Sequence, residues 1–261
     1  MLELEMFSLE GKVAVVSGGS GKYGKQIVLA LAKAGAKVVI ASRNKEKNHD
    51  YMNLLNKMGY DIVCETLDIS NKESIEELSK NLIKKYGKVD VLINNSVARL
   101  PDDKYASGYE KFDESIRTNG SGNYWMCKIF GDLMSQNGGG SVVNIGSYMG
   151  MLGPDETLYR GVEFTALGVP DYFFHKAGLT NLTRFMAAYY GRKNVRYNIL
   201  QLGGLFDNQN PIFVERYSDK TFLNRMANDT DIMGAIIYLA SNASAYVTGI
   251  ELCIDGGYSA K

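Results

Sequence analysis

The sequence is poor in cysteine and gives no sign of a metal site. Its three cysteines, Cys64, Cys127 and Cys253, lie far apart and make no zinc-binding spacing. An odd number of separated thiols also argues against a disulfide framework. Because each cysteine has apolar neighbours, we expect three buried thiols in a reducing compartment and no bound metal.

The sequence also lacks an excess of charge and a long hydrophobic run. Lys and Arg total 29, and Asp and Glu also total 29, so there is no general attraction to nucleic acid or to an anionic membrane. No apolar run approaches the roughly 20 residues needed to cross a bilayer. The mixed, acidic residues 1–11 do not resemble a signal peptide. We therefore expect a cytoplasmic protein without nucleic-acid or membrane partners.

Short β-branched runs alternate with segments of helical periodicity along the chain. Strands are predicted at residues 12–17, 37–41, 62–67, 89–93, 141–145 and 250–254, and a helix follows each of the first five. This alternation predicts βαβ crossovers and a parallel sheet. The predicted fold class is α/β: a single Rossmann-type domain over residues 1–261, with a doubly wound parallel sheet and helices on both faces. A chain of 261 residues can bury a substantial core in this way.

A glycine-rich turn follows the first predicted strand. Residues 19–24 fit the pattern GxGxxG, and apolar residues at helical spacing come next. A strand, a glycine turn and a helix N-terminus form the usual context for a bound pyrophosphate. A tight turn without a ligand is the alternative. The predicted cofactor-binding residues here are Gly18, Gly19, Ser20, Gly21, Lys22, Tyr23 and Gly24.

The end of the second strand bears on the choice of cofactor. Ser42 and Arg43 stand where an acidic residue would bind the ribose 2′-hydroxyl of NAD. Arg43 can accommodate a 2′-phosphate, and Lys22 can add a second positive charge. We therefore predict NADP(H), with NAD(H) as the alternative. Both side chains would otherwise be ordinary surface charges.

Polar residues cluster at the carboxyl ends of the predicted strands, where open α/β sheets bind ligands. Asp68 and Ile69 follow the third strand, Asn94 and Asn95 the fourth, and Ser147 the fifth. Turn chemistry alone also places Asp and Asn at such ends. A long predicted helix over residues 112–136 carries Asn119.

Lys176 follows Tyr172 by four positions within a predicted helix. This spacing places both side chains on one helix face. A neighbouring ammonium favours the phenolate of a tyrosine, which makes such a pair suited to acid–base chemistry near neutral pH. His175 lies off this face and His49 in a polar helix, and we expect neither to be catalytic.

In this order the signals resemble those of the short-chain dehydrogenase/reductase family, over essentially the whole chain. Two segments near the end extend the resemblance: Tyr246-Val247-Thr248-Gly249 and Asp255-Gly256-Gly257. The resemblance implies that Tyr172 exchanges a proton with the substrate oxygen. It implies that Lys176 binds the nicotinamide ribose and lowers the tyrosine pKa, and that Ser147 holds the substrate oxygen. Asn119 would support the water through which Lys176 exchanges protons.

The chain departs from the family pattern at several cofactor-side positions. Lys22 occupies the place of a glycine in the turn, and Ser96-Val97 replaces Ala-Gly after the paired asparagines. Leu202 replaces proline before Gly203, which we still assign to the cofactor site. These changes bear on the pose of the cofactor and not on its presence.

The segment between Ser147 and Tyr172 is about twice as long as the resemblance leads us to expect, and loops near a site carry specificity. Together with residues 203–209, this substrate-side insertion (148–171) resembles the oxidoreductases of bacterial flagellin-glycosylation and legionaminic-type sugar pathways. That implies a sugar or sugar phosphate as substrate in glycan biosynthesis. Arg99, Arg160, Ser147 and Gly204 are the predicted substrate-binding residues, and residues 205–222 a possible lid.

The resemblance also implies a homodimer or homotetramer. The main prediction is thus an enzyme that interconverts a secondary alcohol and a ketone. Two alternatives remain: a sugar epimerase or dehydratase that uses transient oxidation by bound cofactor, and a non-catalytic nucleotide-sensing scaffold.

Overall fold

The structure is a computed structural model that describes residues 4–98, 109–162 and 169–260. Within these ranges, seven strands form one sheet: β1 (Val13–Ser17), β2 (Lys37–Ser42), β3 (Ile62–Thr66), β4 (Val91–Asn94), β5 (Gly140–Ile145), β6 (Val195–Leu202) and β7 (Glu251–Ile254). The strand order is β3-β2-β1-β4-β5-β6-β7 and every pairing is parallel. The predicted fold class is confirmed.

Helices cover both faces of the sheet. They are α1 (Lys22–Lys33), α2 (Lys45–Lys57), α3 (Lys72–Tyr86), α4 (Tyr109–Ser115), α5 (Gly122–Gln136), α6 (Pro170–Tyr190), α7 (Pro211–Asp219) and α8 (Met233–Ala240). Buried side chains of α1, α2 and α8 form one core with the sheet, and those of α3, α5 and α6 form a second core on the opposite face.

Strand β1 shows why the sheet is buried on both sides. Ala14 and Val16 lie in the first core, while Val13 and Val15 lie in the second. This alternation is the two-residue period of a strand, and a run that is apolar at every position suits a strand covered on both faces. The strand order reverses between β1 and β4, so their carboxyl ends open a crevice at the position where such sheets bind ligands.

The structure adds one strand and two α-helices to the predicted elements and divides a predicted helix. Strand β6 was not predicted because Arg196, Asn198 and Gln201 interrupt its apolar pattern, although they are largely buried through hydrogen bonds to neighbouring elements. Helices α7 and α8 were not predicted either. The single helix predicted at 112–136 consists of α4, a π-helical segment over Ile116–Ser121, and α5.

The prediction of three buried thiols is wrong. Cys127 is buried between the sheet and α5, but Cys64 is half-buried and Cys253 is exposed. Cys253 has apolar neighbours in sequence, which led to the expectation of burial. It lies on β7, an edge strand whose residues are only partly covered. In the described ranges, none of the helices is both long enough and apolar enough to cross a bilayer.

Candidate active site

The glycine turn after β1 is packed too tightly for side chains. Gly18 has a positive φ of 66°, and a Cβ on Gly24 would lie 2.2 Å from the Gly18 carbonyl oxygen. Helix α1 begins at Lys22, and its N-cap residue Gly21 makes no side-chain capping bond. The turn therefore presents backbone N–H groups at a helix N-terminus, which is the arrangement that binds a phosphate.

The two asparagines after β4 have different surroundings. The amide of Asn95 donates to the carbonyl oxygens of Ser17 (3.1 Å) and Gly18 (3.0 Å), so it braces the glycine turn. The amide of Asn94 is buried and donates to Oδ1 of Asn144 at 2.8 Å. Asn95 thus borders the predicted cofactor site, whereas Asn94 lies within the sheet.

Asn48 on α2 joins the turn to the end of β2 and was not predicted. It is 1% exposed, and the hydroxyls of Ser20 and Ser42 both donate to its Oδ1, at 2.8 and 2.9 Å. The two predicted cofactor-side serines are therefore held at a common point. Arg43 follows as an exposed side chain. The apolar periodicity of α2 is weak, so the sequence does not show that Asn48 is buried.

Asp68 and Ile69 follow β3 as predicted. Asp68 accepts hydrogen bonds from the hydroxyl and backbone N–H of Ser70. Partial burial opposes ionisation, yet these hydrogen bonds hold the pKa of Asp68 below its usual value. The carbonyl oxygen of Ile69 lies 2.4 Å from where a Cβ on Gly122 would stand, so this loop packs directly on α5.

Lys22 and Tyr23 cross from the glycine turn to the loop after β6. The Lys22 ammonium forms an ion pair with Asp207, and the Tyr23 hydroxyl donates to the Gly203 carbonyl oxygen at 2.9 Å. The predicted phosphate-binding lysine is thus engaged by an acidic residue of the possible lid segment. Gly204 lies next to this contact, and its N–H donates to the Tyr217 hydroxyl at 2.6 Å.

Tyr172 and Lys176 lie near the start of α6, as predicted. Lys176 is 4% exposed. Its Nζ donates to the carbonyl oxygen of Ile145 at 2.6 Å and lies 5.6 Å from the centroid of the Tyr172 ring. The ammonium therefore sits between the tyrosine and the carboxyl end of β5, and the Tyr–Lys pair is brought to the sheet edge.

Ser147 lies two residues beyond Ile145. Its N–H donates to Oε1 of Gln201 at 2.8 Å, and its Oγ accepts from the N–H of Met149 at 3.2 Å. Ser147 is 6% exposed. The predicted serine therefore shares the end of β5 with the anchor point of Lys176.

Asn119 lies in the π-helical segment and is nearly fully buried. Its amide accepts from the Ala98 N–H (2.8 Å) and donates to the Ala98 carbonyl oxygen (2.9 Å). It also donates to Oγ of Ser115, which donates in turn to Asp171 at the start of α6. Asn119 thus ties the loop after β4 to the helix that carries Tyr172. Such π-helical insertions often occur at functional sites.

His175 packs against the tyrosine. Its ring meets that of Tyr172 edge to face, with centroids 5.2 Å apart. Both ring nitrogens are buried without a hydrogen-bond partner in the described ranges. Burial, with a smaller contribution from Lys176, lowers the pKa of His175 to about 3, so the ring is neutral at physiological pH.

Several tyrosines surround Tyr172. Burial raises the pKa of Tyr23 and Tyr148, and smaller contributions come from neighbouring tyrosines that include Tyr172. These two side chains remain neutral phenols.

The substrate-side insertion and the possible lid segment pack against each other. They share an aromatic cluster with a tyrosine near the end of the chain. Its members are Tyr148 and Tyr159 of the insertion, Phe213 and Tyr217 of the possible lid, and Tyr258. Within it, ring centroids lie between 4.6 Å (Tyr148 and Tyr258) and 6.0 Å (Tyr148 and Tyr217). The two predicted substrate-side segments therefore form one wall next to Ser147.

Polar contacts reinforce this wall. Lys220 pairs with Asp155 at 2.8 Å, and the Arg216 guanidinium donates to the carbonyl oxygens of Thr157 and Arg160. Arg160 itself is exposed. Arg99 and residues 163–168 of the insertion lie outside the described residues.

The chain is similar to known proteins over nearly its whole length. A family model described as "Enoyl-(Acyl carrier protein) reductase" matches residues 23–259. The chain is 29% identical to Post-translational flagellin modification protein A of Campylobacter coli, over 96% of this chain and 99% of that protein. It is 27% identical to 2-dehydro-3-deoxy-D-gluconate 5-dehydrogenase of Escherichia coli, over 99% of each chain.

Solved structures extend the comparison to three dimensions. A structure of 7α-hydroxysteroid dehydrogenase in complex with NADH and 7-oxo glycochenodeoxycholic acid superposes with a TM-score of 0.87, at 26% identity and over 98% of both chains. The fold and the match of the family model over most of the sequence agree. The chain belongs to the short-chain dehydrogenase/reductase family of oxidoreductases.

Proposed function

We propose that this protein interconverts a secondary alcohol and a ketone on a small sugar, sugar acid or sugar phosphate, with NADP(H) as cofactor. The observation that carries the proposal is the position of Lys176, whose Nζ lies between the Tyr172 ring and the carboxyl end of β5. This arrangement supports a proton transfer at Tyr172 beside the crevice where a dinucleotide binds in such sheets.

The residues present fit a dinucleotide. A Cβ on Gly24 would collide with the Gly18 carbonyl oxygen, so glycine at this position lets the N-terminus of α1 pack directly on the turn, where its N–H groups can bind a pyrophosphate. Asn95 braces that turn from β4. The nicotinamide supplies or accepts the hydride, and Lys176 and Gly203 would border its ribose and ring.

The chain's own residues then handle the proton and the substrate oxygen. Tyr172 donates a proton to the oxygen during ketone reduction and takes it back during alcohol oxidation. Lys176 holds its ammonium beside the Tyr172 ring, and Ser147 donates a hydrogen bond to the oxygen as negative charge develops there. Asn119, fixed by Ala98, supports the path by which Lys176 regains a proton.

The choice of NADP(H) rests on charge at the end of β2. Arg43 is exposed next to Ser42, and no acidic side chain stands in the place that would bind a ribose 2′-hydroxyl. An arginine can bind a phosphate with two parallel hydrogen bonds. The hydroxysteroid dehydrogenase structure contains NADH, and NAD(H) is therefore the alternative that the assay must include.

The sugar-type substrate rests on the relatives and on the wall beside Ser147. Two relatives that align over nearly their whole length are named for flagellin modification and for a deoxy sugar acid. Phe213 is the partly exposed ring of the aromatic cluster, and it can stack on the apolar face of a sugar. Arg160 and Arg99 are proposed to bind an anionic group of the substrate.

We further propose a homodimer or homotetramer in which α6 contacts a second copy. On α6, Phe185 and Tyr189 follow Phe174 by 11 and 15 residues. These spacings put the three side chains on one helix face. Their exposed fractions are 61%, 60% and 57%. Large exposed apolar side chains on one face indicate an interaction surface, and pairing of equivalent faces closes a symmetric dimer.

A cofactor-coupled screen tests the proposed function. Purified protein is mixed with NADPH or NADH and a panel of keto sugars, keto sugar acids and their phosphates, and cofactor oxidation is followed by absorbance. We expect turnover of at least one member and faster reaction with NADPH. Steroid ketones serve as the contrasting class. Turnover of steroid ketones alone would reject the substrate assignment, and no turnover of any ketone would reject the function.

A further inference from the structure

Gln201 is a fully buried polar residue at the carboxyl end of β6. Its exposed fraction is 0%, and its neighbour Leu200 pairs with Ile145 of β5. The side-chain amide makes three hydrogen bonds. Oε1 accepts from the Ser147 N–H at 2.8 Å, and Nε2 donates to Oγ1 of Thr180 at 2.8 Å and to Oε2 of Glu251 at 2.9 Å.

The neighbouring backbone is shaped around this amide. A Cβ on Gly146 would lie 2.2 Å from Oε1 and 2.9 Å from Cδ of Gln201. Gly146 has no positive φ, so a glycine is required there by space and not by backbone conformation. The residue before Ser147 and the side chain of Gln201 therefore form a matched pair.

The contacts of Gln201 join the elements that carry Ser147 and Lys176. Thr180 lies on α6, one turn after Lys176, and Lys176 itself donates to Ile145, the residue before Gly146. The end of β5 is thus held on both sides of Gly146: by the Lys176 ammonium at Ile145 and by the Gln201 amide at Ser147. One amide links Ser147 to the helix of Tyr172 and Lys176.

We propose that Gln201 is a positioning residue that sets the placement of Ser147 relative to Tyr172. The inference rests on the proposed function, in which Ser147 holds the substrate oxygen while Tyr172 transfers the proton. Gln201 is closed off from solvent behind Ser147 and acts through it. Because a displacement of about 1 Å in a reacting group can cost about 100-fold in rate, loss of this link lowers kcat with little effect on cofactor binding.

The first test replaces Gln201 by methionine, which has a similar length but cannot accept from Ser147. We expect kcat to fall about 10- to 100-fold, with KM and NADPH affinity unchanged, measured with the ketone that the wild-type enzyme reduces fastest. Gln26→Met is the matched control, because Gln26 is also buried but its Oε1 has no hydrogen-bond partner in the described ranges. We expect wild-type kcat for this control.

A second pair of variants separates positioning from space filling. Gly146→Ala pushes a Cβ into the amide and should lower both kcat and melting temperature. Adding Gln201→Ala removes the clash with the amide but also its three hydrogen bonds, so the melting temperature should recover in part while kcat stays low. Recovery of kcat together with stability in the double variant would show that Gln201 only fills space.

A charge exchange provides the rescue. Gln201→Glu alone places a carboxylate against Glu251 and should lower kcat. Combined with Glu251→Gln, it restores an acceptor for Ser147 and a donor–acceptor pair between positions 201 and 251, so kcat should return towards the wild-type value. A wild-type rate in Gln201→Met overturns the inference alone. A wild-type enzyme that reduces no ketone overturns the proposed function as well.

Discussion

The Nζ of Lys176 lies 2.6 Å from the carbonyl oxygen of Ile145. This hydrogen bond fixes a charged side chain of α6 to the end of β5, two residues before Ser147. Because Lys176 is 4% exposed and its Nζ is also close to the Tyr172 ring, the ammonium is held between that ring and the end of β5 that leads to Ser147. Helix α6 and strand β5 therefore form the framework of the site.

Arg43 is predicted to select the phosphorylated cofactor. Replacing Arg43 by alanine removes an exposed guanidinium at the end of β2, and a hydrogen bond to a charged group contributes about 1.5–3 kcal/mol. We expect NADPH to bind at least about tenfold more weakly, with NADH affinity unchanged, in a fluorescence titration. Lys57→Ala, which removes an exposed charge from the far end of α2, is the control. Equal losses for both cofactors would refute the role of Arg43.

Asp207 is predicted to compete with the cofactor for Lys22. The Lys22–Asp207 ion pair is exposed at both partners, and such pairs contribute only about 0–1 kcal/mol to stability. Asp207→Asn should therefore leave the melting temperature nearly unchanged and tighten NADPH binding by about two- to fivefold. Asp61→Asn, which breaks the pair with Lys37, should alter neither. Weaker NADPH binding in Asp207→Asn would indicate that the ion pair helps to close the cofactor site.

His175 is predicted to make the protein sensitive to acid. Its pKa is lowered to about 3 in the folded protein, whereas an unfolded histidine titrates near 6.5. Stability linked to this group is therefore complete above about pH 6.5 and is lost as the pH falls towards 3. At pH 5 the loss is about 2 kcal/mol.

Replacing His175 by leucine tests this linkage. The change removes two buried ring nitrogens without partners, so we expect the variant to be at least as stable at pH 7 and less destabilised between pH 6.5 and 5. Urea unfolding at several pH values measures the difference. A parallel loss of stability in both proteins would show that His175 does not titrate on unfolding. His49→Leu, a change on the surface of α2, is the control.

The exposed face of α6 is predicted to hold the subunits together. Phe185→Glu places a charge at the centre of this face and should shift the protein from an oligomer to a monomer in light scattering. Leu54→Glu changes a similarly exposed apolar residue on α2 (56%) and should leave the mass unchanged. An oligomer that survives Phe185→Glu would place the interface elsewhere.

Much of the fold is encoded in local patterns. The apolar run at Val13–Val16, the glycine turn and the following periodic residues predict β1 and α1, because each depends on neighbours in sequence. The four-residue spacing of Tyr172 and Lys176 likewise survives in α6. Strand β6 was not predicted because its polar residues are satisfied by partners in α6, α8 and the loop before β7 that lie far away in the chain.

The same limit applies to the site. In the sequence, nothing distinguishes Asn48 and Gln201 from exposed polar residues. Only the folded chain shows that Asn48 holds Ser20 and Ser42 and that Gln201 holds Ser147. The π-helical turn at Asn119 depends on its hydrogen bonds to Ala98 and not on helix propensity. The sequence allows the residues that would carry the chemistry to be proposed, whereas the residues that hold them in place become visible only in the folded chain.

The most direct measurement compares the wild-type enzyme with Tyr172→Phe on the ketone that the wild type reduces fastest. Removal of one hydroxyl should lower kcat by about 100- to 10,000-fold, while NADPH affinity and melting temperature stay close to those of the wild type. Such a result would place the proton transfer at Tyr172. A variant that retains the wild-type kcat would contradict the proposed mechanism.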